Sequence, residues 1–207
     1  MLERFLSFDC GLKTIAIADI SVDWEISKTM SDFFENSRLG DIPKFAILHR
    51  LQVIDLIPGI LVSKCGPNKL ARALKKYLNE LKLPDCKFKV IIERQKSVNR
   101  KSSAVQCQLA YHFCDIAEDV IEIYASCKNK IFFGLEVDDF LTGPEKTESR
   151  KYAARKKHAI YNAGIIIPML ENGSDLYNSI KPGLRSHVAD AVCQMWYYSS
   201  NHYKHTL

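Results

Sequence analysis

The sequence predicts an α/β domain in which helices flank a mixed sheet of five strands. Three patterns carry this expectation: two alternating apolar segments joined by a tight turn, a third β-rich segment, and then helices that alternate with strands. Successive strands pair antiparallel, whereas a strand, helix, strand crossover gives parallel pairing, so the sheet is mixed. Because the 207 residues contain no internal repeat and no linker, we expect a single domain spanning residues 1–207.

The chain opens with a pattern typical of a β-hairpin. The first strand ends at a tight turn at Cys10 and Gly11, and the second strand follows at residues 14–18. Side chains alternate between the two faces of a strand, so Asp9 shares a face with Phe5. The pattern therefore places an acid at the end of the first strand.

A largely polar excursion, Ser21 to Lys44, separates the hairpin from the third strand. Its Ser and Gly breaks interrupt any sustained periodicity, and only Asp32 to Asn36 is consistent with a short helix. The third strand is predicted at Phe45 to Leu56, where apolar and β-branched residues precede a break at Pro58 and Gly59.

A crossover follows the third strand. Asn68 is the predicted N-cap of an amphipathic helix that ends before Pro84. The next strand, Phe88 to Glu93, is short and nearly continuously apolar, as is typical of the buried centre of a sheet. A second helix at Ser102 to Asp119 and a fifth strand at Ile121 to Ala125 complete the predicted sheet.

Two further helices are predicted after the sheet. A loop at residues 134–147 precedes a strongly basic helix, Glu148 to Ala163, and the final helix is predicted at Ser186 to Tyr198. The helix at 102–119 has two apolar stripes, one for its own sheet and one that is a candidate subunit interface. The residues of that second stripe are Ala104, Cys107, Tyr111 and Cys114.

Composition excludes several classes of protein. Lys and Arg number 29 against 24 Asp and Glu, which gives a formal net charge of +5, and 47% of the residues are hydrophobic. These values exclude a disordered chain and are compatible with a polyanionic partner. No apolar run approaches the roughly 20 residues of a membrane span, so we expect no membrane association. Seven scattered cysteines without a Cys-x-x-Cys pair indicate reduced thiols in an intracellular compartment.

Three acids interrupt or end apolar elements: Asp9 on the first strand, Glu93 on the fourth, and Asp190 in the final helix. A buried carboxylate is costly unless it is paired or binds a metal. Taken singly, each acid fits a structural role as a turn residue or an ion-pair partner. The first and fourth strands are expected to be neighbours, however, so two of the acids can meet at one end of the sheet. A helix across that end would add the third.

His187 precedes Asp190 by three residues, so both side chains lie on one helical face. A lone histidine at a helix start is usually a surface or cap group, but beside an aspartate it is a candidate metal ligand or water activator. Carboxylate oxygens with few Cys or His favour magnesium or manganese over zinc. Together with Asp9 and Glu93, these residues predict a site for two-metal hydrolysis of a phosphodiester.

Two basic clusters flank these acids. They are Arg94, Lys96, Arg100 and Lys101 in the first, and Arg150, Lys151, Arg155, Lys156 and Lys157 in the second. One isolated basic run is ordinarily a solvated face. Two runs beside candidate metal ligands indicate contacts with a phosphate backbone, which supply affinity rather than base specificity. A lysine close to the reacting phosphate would also stabilise developing negative charge.

Four short segments together resemble a known family. They are Phe8-Asp9-Cys10-Gly11-Leu12-Lys13, Ile92-Glu93-Arg94-Gln95, Arg155-Lys156-Lys157 and His187-Val188-Ala189-Asp190-Ala191. Their order and predicted elements are similar to those of the RuvC-like Holliday junction resolvases, and most closely to the poxvirus-type branch of large DNA viruses. The resemblance covers nearly the whole chain and implies a ribonuclease H-like fold. The sequence departs from the viral pattern in the longer Ser21 to Lys44 excursion.

The resemblance also implies roles for the candidate residues. The metal-binding catalytic residues would be Asp9, Glu93, His187 and Asp190. His187 stands at a position that is often Asp in the viral branch. Lys156 would be the family's catalytic lysine, with Lys151 and Lys157 as competitors for that role. The implied cofactors are two magnesium ions, for which manganese can substitute, and the implied assembly is a homodimer that nicks two symmetry-related strands.

The leading hypothesis is a magnesium-dependent endonuclease that resolves four-way junctions and other branched DNA by paired symmetric nicks. Recognition would depend on junction shape rather than on base sequence. In a large DNA virus, the resemblance implies resolution of genome concatemers at the viral replication site. Two alternatives stay open: ribonuclease H or exonuclease activity on the same fold, and non-catalytic binding of branched DNA. The Asp-x-Gly turn is also similar to that of sugar kinases and actin-like ATPases, but those need two such domains, and we expect no small-molecule cofactor.

Overall fold

The structure is a computed structural model that describes residues 2–23, 46–95, 99–142 and 147–204. Most of the polar excursion, including the short helix predicted at Asp32 to Asn36, lies outside the described residues, as does Phe45 at the start of the predicted third strand. The excursion also begins later than predicted. Ser21 belongs to the second strand, which continues to Asp23 and pairs with both of its neighbours.

The described residues form one mixed sheet of six strands in the order β5-β4-β1-β2-β3-β6. The strands are β1 (Leu2–Cys10), β2 (Thr14–Asp23), β3 (Ala46–Asp55), β4 (Lys89–Arg94), β5 (Asp119–Tyr124) and β6 (Leu170–Glu171). β1, β2 and β3 pair antiparallel, whereas β4 joins β1 in parallel and β5 joins β4 in parallel. The prediction of a mixed α/β sheet is confirmed, and the prediction of five strands is wrong. The sixth strand is two residues long, too short to produce a periodic pattern.

Five α-helices surround the sheet within the described residues. They are α1 (Pro67–Glu80), α2 (Arg100–Phe113), α3 (Glu148–Met169), α4 (Gly173–Ser179) and α5 (Arg185–Lys204). Short 3-10 helices occur at Val62–Lys64, Ala125–Lys130, Val137–Phe140 and Pro182–Leu184. Across the part of the chain that is described, no helix combines the length and the apolar character needed to cross a membrane.

Several helix ends differ from the sequence prediction for identifiable reasons. The first helix begins at Pro67, a residue whose fixed φ suits the first turn, so Asn68 lies inside the helix rather than at its cap. The second ends at Phe113 rather than Asp119, because Asp119 already pairs with β4 as the first residue of β5. The third continues past Ala163 to Met169, because its last turns are buried in the core.

The sheet has a hydrophobic core on each face. Phe5 on β1 belongs to the core beneath α3 and α5, whereas Leu6 and Phe8 belong to the core beneath α1 and α2. Alternation along β1 therefore directs the face shared by Phe5, Ser7 and Asp9 toward α5. Consistent with this direction, the Ser7 hydroxyl donates a hydrogen bond to the carbonyl of Ala191 on α5, at 2.7 Å. The same helix carries the third predicted acid.

The turn between β1 and β2 requires glycine. The Gly11 amide donates to the Thr14 carbonyl at 3.0 Å, which closes the hairpin. A Cβ atom at Gly11 would lie 2.6 Å from that carbonyl oxygen, closer than any side chain tolerates. The tight turn allows β1 to end immediately after Asp9 and Cys10, so the acid stands at the rim of the sheet.

Candidate catalytic centre

Three acids converge where β1 and β4 end. Phe8 pairs with Ile92 in parallel register, so Asp9 and Glu93, the next residue on each strand, stand side by side at one end of the sheet. Asp190 reaches the same place from α5, which packs against both β1 and β2. Asp9 is 7% exposed and Asp190 is 4% exposed. Burial of this much like charge requires nearby cations.

The main counter-charge is a lysine that the sequence analysis missed. The Nζ atom of Lys128 lies 2.5 Å from Glu93 Oε2, 3.1 Å from Asp190 Oδ1 and 3.9 Å from Asp9 Oδ1. Lys128 itself is only 8% exposed. It belongs to the 3-10 helix Ala125–Lys130, which directly follows β5. Because β5 pairs in parallel with β4, the chain leaves β5 at the same end of the sheet where Glu93 lies.

A second lysine comes from α3. The Lys156 ammonium contacts Asp190 Oδ2, the carboxylate oxygen that Lys128 does not contact. The two competing candidates on this helix do not make such a contact among the described interactions. Lys151 pairs with the exposed Glu148 at 3.0 Å, and Lys157 is exposed. Of the three lysines considered from sequence, the structure brings Lys156 to the acids.

Polar side chains hold the acids from the remaining directions. His187 Nδ1 lies 3.5 Å from Asp9 Oδ2. The amide of Gln194, a fully buried residue one turn after Asp190, donates to Glu93 Oε2 at 3.0 Å, and Gln95 donates to Glu93 Oε1 at 3.3 Å. Neither glutamine is among the site residues predicted from the sequence, although Gln194 lies four residues after Asp190 and so on the same side of α5.

The environment shifts the pKa values of Asp9 and Glu93, the two acids at strand ends, in opposite directions. Burial acts to raise the pKa of Asp9, but His187 and two nearby ammonium groups outweigh it and lower the pKa to about 2. At Glu93, burial together with the negative charges of Asp9 and Asp190 outweighs Lys128 and raises the pKa. Neighbouring carboxyl groups with such separated proton affinities are typical of functional sites.

Both lysines remain charged in this environment. Burial acts to lower the pKa of each ammonium group, but the carboxylates that face Lys128 and Lys156 outweigh burial and raise both pKa values. Each side chain is therefore protonated at neutral pH. Neither lysine can accept a proton as a general base there, so each contributes as a fixed positive charge.

The chemistry of the donor set fits a hard divalent cation. Asp9, Glu93 and Asp190 offer carboxylate oxygens, and His187 offers an imidazole nitrogen. In the arrangement observed, however, the ammonium groups of Lys128 and Lys156 occupy positions beside these carboxylates. Within residues 2–23, 46–95, 99–142 and 147–204, no three Asp, Glu, His or Cys side chains surround a common metal position. In this arrangement the protein's own lysines offset part of the negative charge of the acids.

The predicted DNA-contacting cations have different surroundings. Arg94 is exposed at the end of β4, where its Nη1 donates to the Tyr124 hydroxyl at 2.8 Å and its guanidinium lies 4.9 Å from the centre of that ring. Arg100 and Arg155 are exposed. Lys101 instead donates to the carbonyls of the loop before α1, at 3.1 and 3.2 Å. Lys96 lies outside the described residues.

Comparison with known proteins identifies the fold. No protein-family model matches the sequence, and no curated protein matches it. Among solved structures, the fowlpox virus resolvase bound to Holliday junction DNA is similar over 96% of this chain and 98% of that chain, at 18% identity and a TM-score of 0.53. Thermus thermophilus RuvC bound to a Holliday junction substrate is similar over 97% and 96%, at 15% identity and a TM-score of 0.50.

The yeast mitochondrial Holliday junction resolvase Ydc2 is also similar, over 99% of this chain and 84% of that chain, at 14% identity and a TM-score of 0.53. At these identities the likeness establishes the fold. The chain therefore shares the fold of these Holliday junction resolvases, and the predicted resemblance to them is confirmed at the level of the fold.

Proposed function

We propose that this chain is a metal-dependent, structure-selective endonuclease that cuts four-way DNA junctions. One observation carries the proposal: Asp9, Glu93 and Asp190 converge at the ends of β1 and β4, on a fold shared with resolvases whose structures hold Holliday junction DNA. Two buried carboxylates and the largely buried carboxylate of Glu93 lie beside two ammonium groups, an arrangement whose desolvation cost makes it weak evidence for a purely stabilising role. A catalytic role explains why three acids are gathered at this rim of the sheet.

The proposed reaction is hydrolysis of a phosphodiester. Asp9, Glu93, Asp190 and His187 are the residues that would hold magnesium, as one or two ions, with manganese as a substitute. A bound ion supplies an activated water and stabilises the leaving oxygen. The protein's own contribution includes Lys156, whose partly exposed ammonium beside Asp190 can contact a phosphate oxygen and stabilise negative charge.

A homodimer would cut both symmetry-related strands of a junction. Of the two stripes on α2, Val105 and Leu109 are buried in the protein's own core, whereas Tyr111 is 81% exposed. Ala104, Cys107 and Cys114, which complete that second stripe, are exposed as well. We propose this exposed stripe as the contact between subunits.

The proposed biological setting follows from the same likeness. The fold similarity covers nearly the whole chain, which supports a single domain over residues 1–207. By analogy with the fowlpox virus protein, the substrate would be branched viral DNA. The enzyme would then resolve recombination intermediates and genome concatemers at the replication site of a large DNA virus.

A cleavage assay tests the proposal. The protein is incubated with a synthetic four-way junction, a linear duplex and an RNA–DNA hybrid, each with magnesium or with EDTA. Asp190→Asn is the test variant, and Asp175→Asn, at an exposed acid on α4, is the matched control. We expect paired symmetric nicks in the junction alone, lost in EDTA and in Asp190→Asn but retained in Asp175→Asn. Preferred cleavage of the hybrid would instead support a ribonuclease H, and junction binding without cleavage would support a binding protein.

A further inference from the structure

The ammonium group of Lys128 occupies the position where the three carboxylates would receive a cation. It lies within 3.9 Å of Asp9, Glu93 and Asp190 at once. Its closest partner, Glu93, also receives hydrogen bonds from Gln194 and Gln95, so that carboxylate is fixed in place. Lys128 thus acts as an internal counter-ion around which the acids are gathered.

A divalent cation and this ammonium group are alternatives. Both are attracted by the same carboxylate oxygens, and at such short separations in a buried site they repel each other strongly. Lys156 differs in position: among the described ion pairs it contacts one of the three carboxylates, through the other oxygen of Asp190.

The backbone around Lys128 allows the side chain to leave without unfolding. The Lys128 carbonyl accepts a hydrogen bond from the Ile131 amide, which fixes the end of the 3-10 helix. The ammonium group is connected to that backbone by a flexible stem of four methylene groups. Displacement of the ammonium group therefore requires rotation of the side chain and leaves this backbone hydrogen bond in place.

We propose that Lys128 is a positioning residue that holds the three carboxylates together in the metal-free protein and is displaced when a divalent ion binds. The inference rests on the proposed metal-dependent function. It makes Lys128 a determinant of metal affinity: the protein is stable without the ion, and the ion binds more weakly because it must displace a charge.

Metal affinity provides the first test. Titration calorimetry measures Mn²⁺ binding to the wild-type protein, to Lys128→Met and to Lys130→Met, the control at an exposed lysine two residues away. We expect Lys128→Met to bind Mn²⁺ about tenfold more tightly or better, since a competing charge is gone, and Lys130→Met to match the wild type. A merely structural lysine would give equal or weaker binding in Lys128→Met, and that result would overturn the inference.

A second measurement uses the wild-type protein and so does not depend on folding of the variant. Lysine amines are acetylated briefly in EDTA or in saturating Mn²⁺, and each site is quantified by mass spectrometry. We expect Mn²⁺ to increase labelling of Lys128 several-fold while labelling of Lys130 stays constant. Unchanged labelling of Lys128 in protein that has bound Mn²⁺ overturns the inference alone. Absence of Mn²⁺ binding to both wild type and Lys128→Met would overturn the metal-dependent function as well.

Discussion

The hairpin of β1 and β2 carries two buried aspartates with different surroundings. Asp9, at the rim of the sheet, faces other acids and the ammonium groups of lysines. Asp19, 3% exposed, lies on the opposite face of the sheet and is bound by two arginines. Arg4 Nε donates to Asp19 Oδ1 at 2.8 Å, and Arg50 Nη2 donates to Oδ2 at 3.2 Å.

The difference lies in charge balance and in the type of cation. At the candidate centre, three carboxylates face two ammonium groups, which leaves an excess of negative charge. At Asp19, one carboxylate faces two guanidinium groups, and Arg50 also donates to the Lys82 carbonyl at 2.9 Å. Guanidinium forks fix a geometry, whereas an ammonium group is a point charge on a flexible stem. The Asp19 cluster therefore fits a structural role, and the Asp9 cluster has the charge excess and the flexible counter-ion that the proposed exchange of Lys128 for a divalent cation requires.

The largest expected effect is on catalysis. Asp9→Asn should lower the rate of single-turnover cleavage of a four-way junction by about 1000-fold or more. The substitution removes one of the three carboxylates that are proposed to bind the metal as a unit, and residues that act as a unit have large individual effects. Asp19→Asn should leave the rate per folded molecule within about twofold, since its carboxylate serves the fold. Junction binding and circular dichroism would confirm that both variants are folded. A rate for Asp9→Asn within tenfold of wild type would remove Asp9 from the catalytic centre.

Stability should show the reverse order. Asp19→Ala leaves two partly buried guanidinium groups without their carboxylate and should lower the free energy of unfolding by about 3 to 5 kcal/mol. Asp9→Asn keeps the shape of the side chain and relieves repulsion among three acids, so we expect a loss below that of Asp19→Ala. Urea denaturation measures both values. Equal losses would mean that the two clusters are both structural.

Two lysines on α3 have different partners, because Lys156 contacts the acids of the candidate centre and Lys151 contacts an exposed glutamate. Lys156→Met should lower cleavage by about 100-fold, because the charge beside Asp190 would no longer stabilise the reacting phosphate. Lys151→Met should stay near wild type, because Lys151 pairs with the exposed Glu148. Single-turnover rates at saturating enzyme make the comparison. Similar losses in both variants would indicate general DNA binding by this helix.

The convergence of the acids follows from rules that a sequence can reveal. Asp9 and Glu93 end two apolar segments, and a helix lies between the third strand and the fourth, so parallel pairing at one sheet end can be predicted. Asp190 joins them because the last helix is expected to pack across that end of the sheet. What the sequence does not reveal is the charge balance, because that depends on which cations the loops bring to the rim.

Lys128 shows this limit. It lies in a single 3-10 helix without hydrophobic periodicity, so no pattern distinguishes it from Lys130, which is exposed. The signal available is topological: the segment after β5 must emerge beside the end of β4. The same reasoning applies to β6, whose two residues pair at the outer edge of β3 only because α3 ends there.

The smallest expected effect concerns the surface beside the centre. Arg94 directly follows Glu93, is exposed, and rests on Tyr124, so it is placed to contact a DNA phosphate near the acids. Arg94→Ala should weaken junction binding a few-fold and reduce the slope of log affinity against log salt by about 1, since one fewer counterion is released. Lys75→Ala, at an exposed position of α1, which packs on the face of the sheet opposite to that of Asp9 and Glu93, should leave the slope unchanged. Fluorescence anisotropy in EDTA over a series of salt concentrations gives both slopes. An equal reduction in both variants would mean that DNA is attracted by the overall charge of +5, and different slopes place the bound duplex at the rim where Asp9 and Glu93 end their strands.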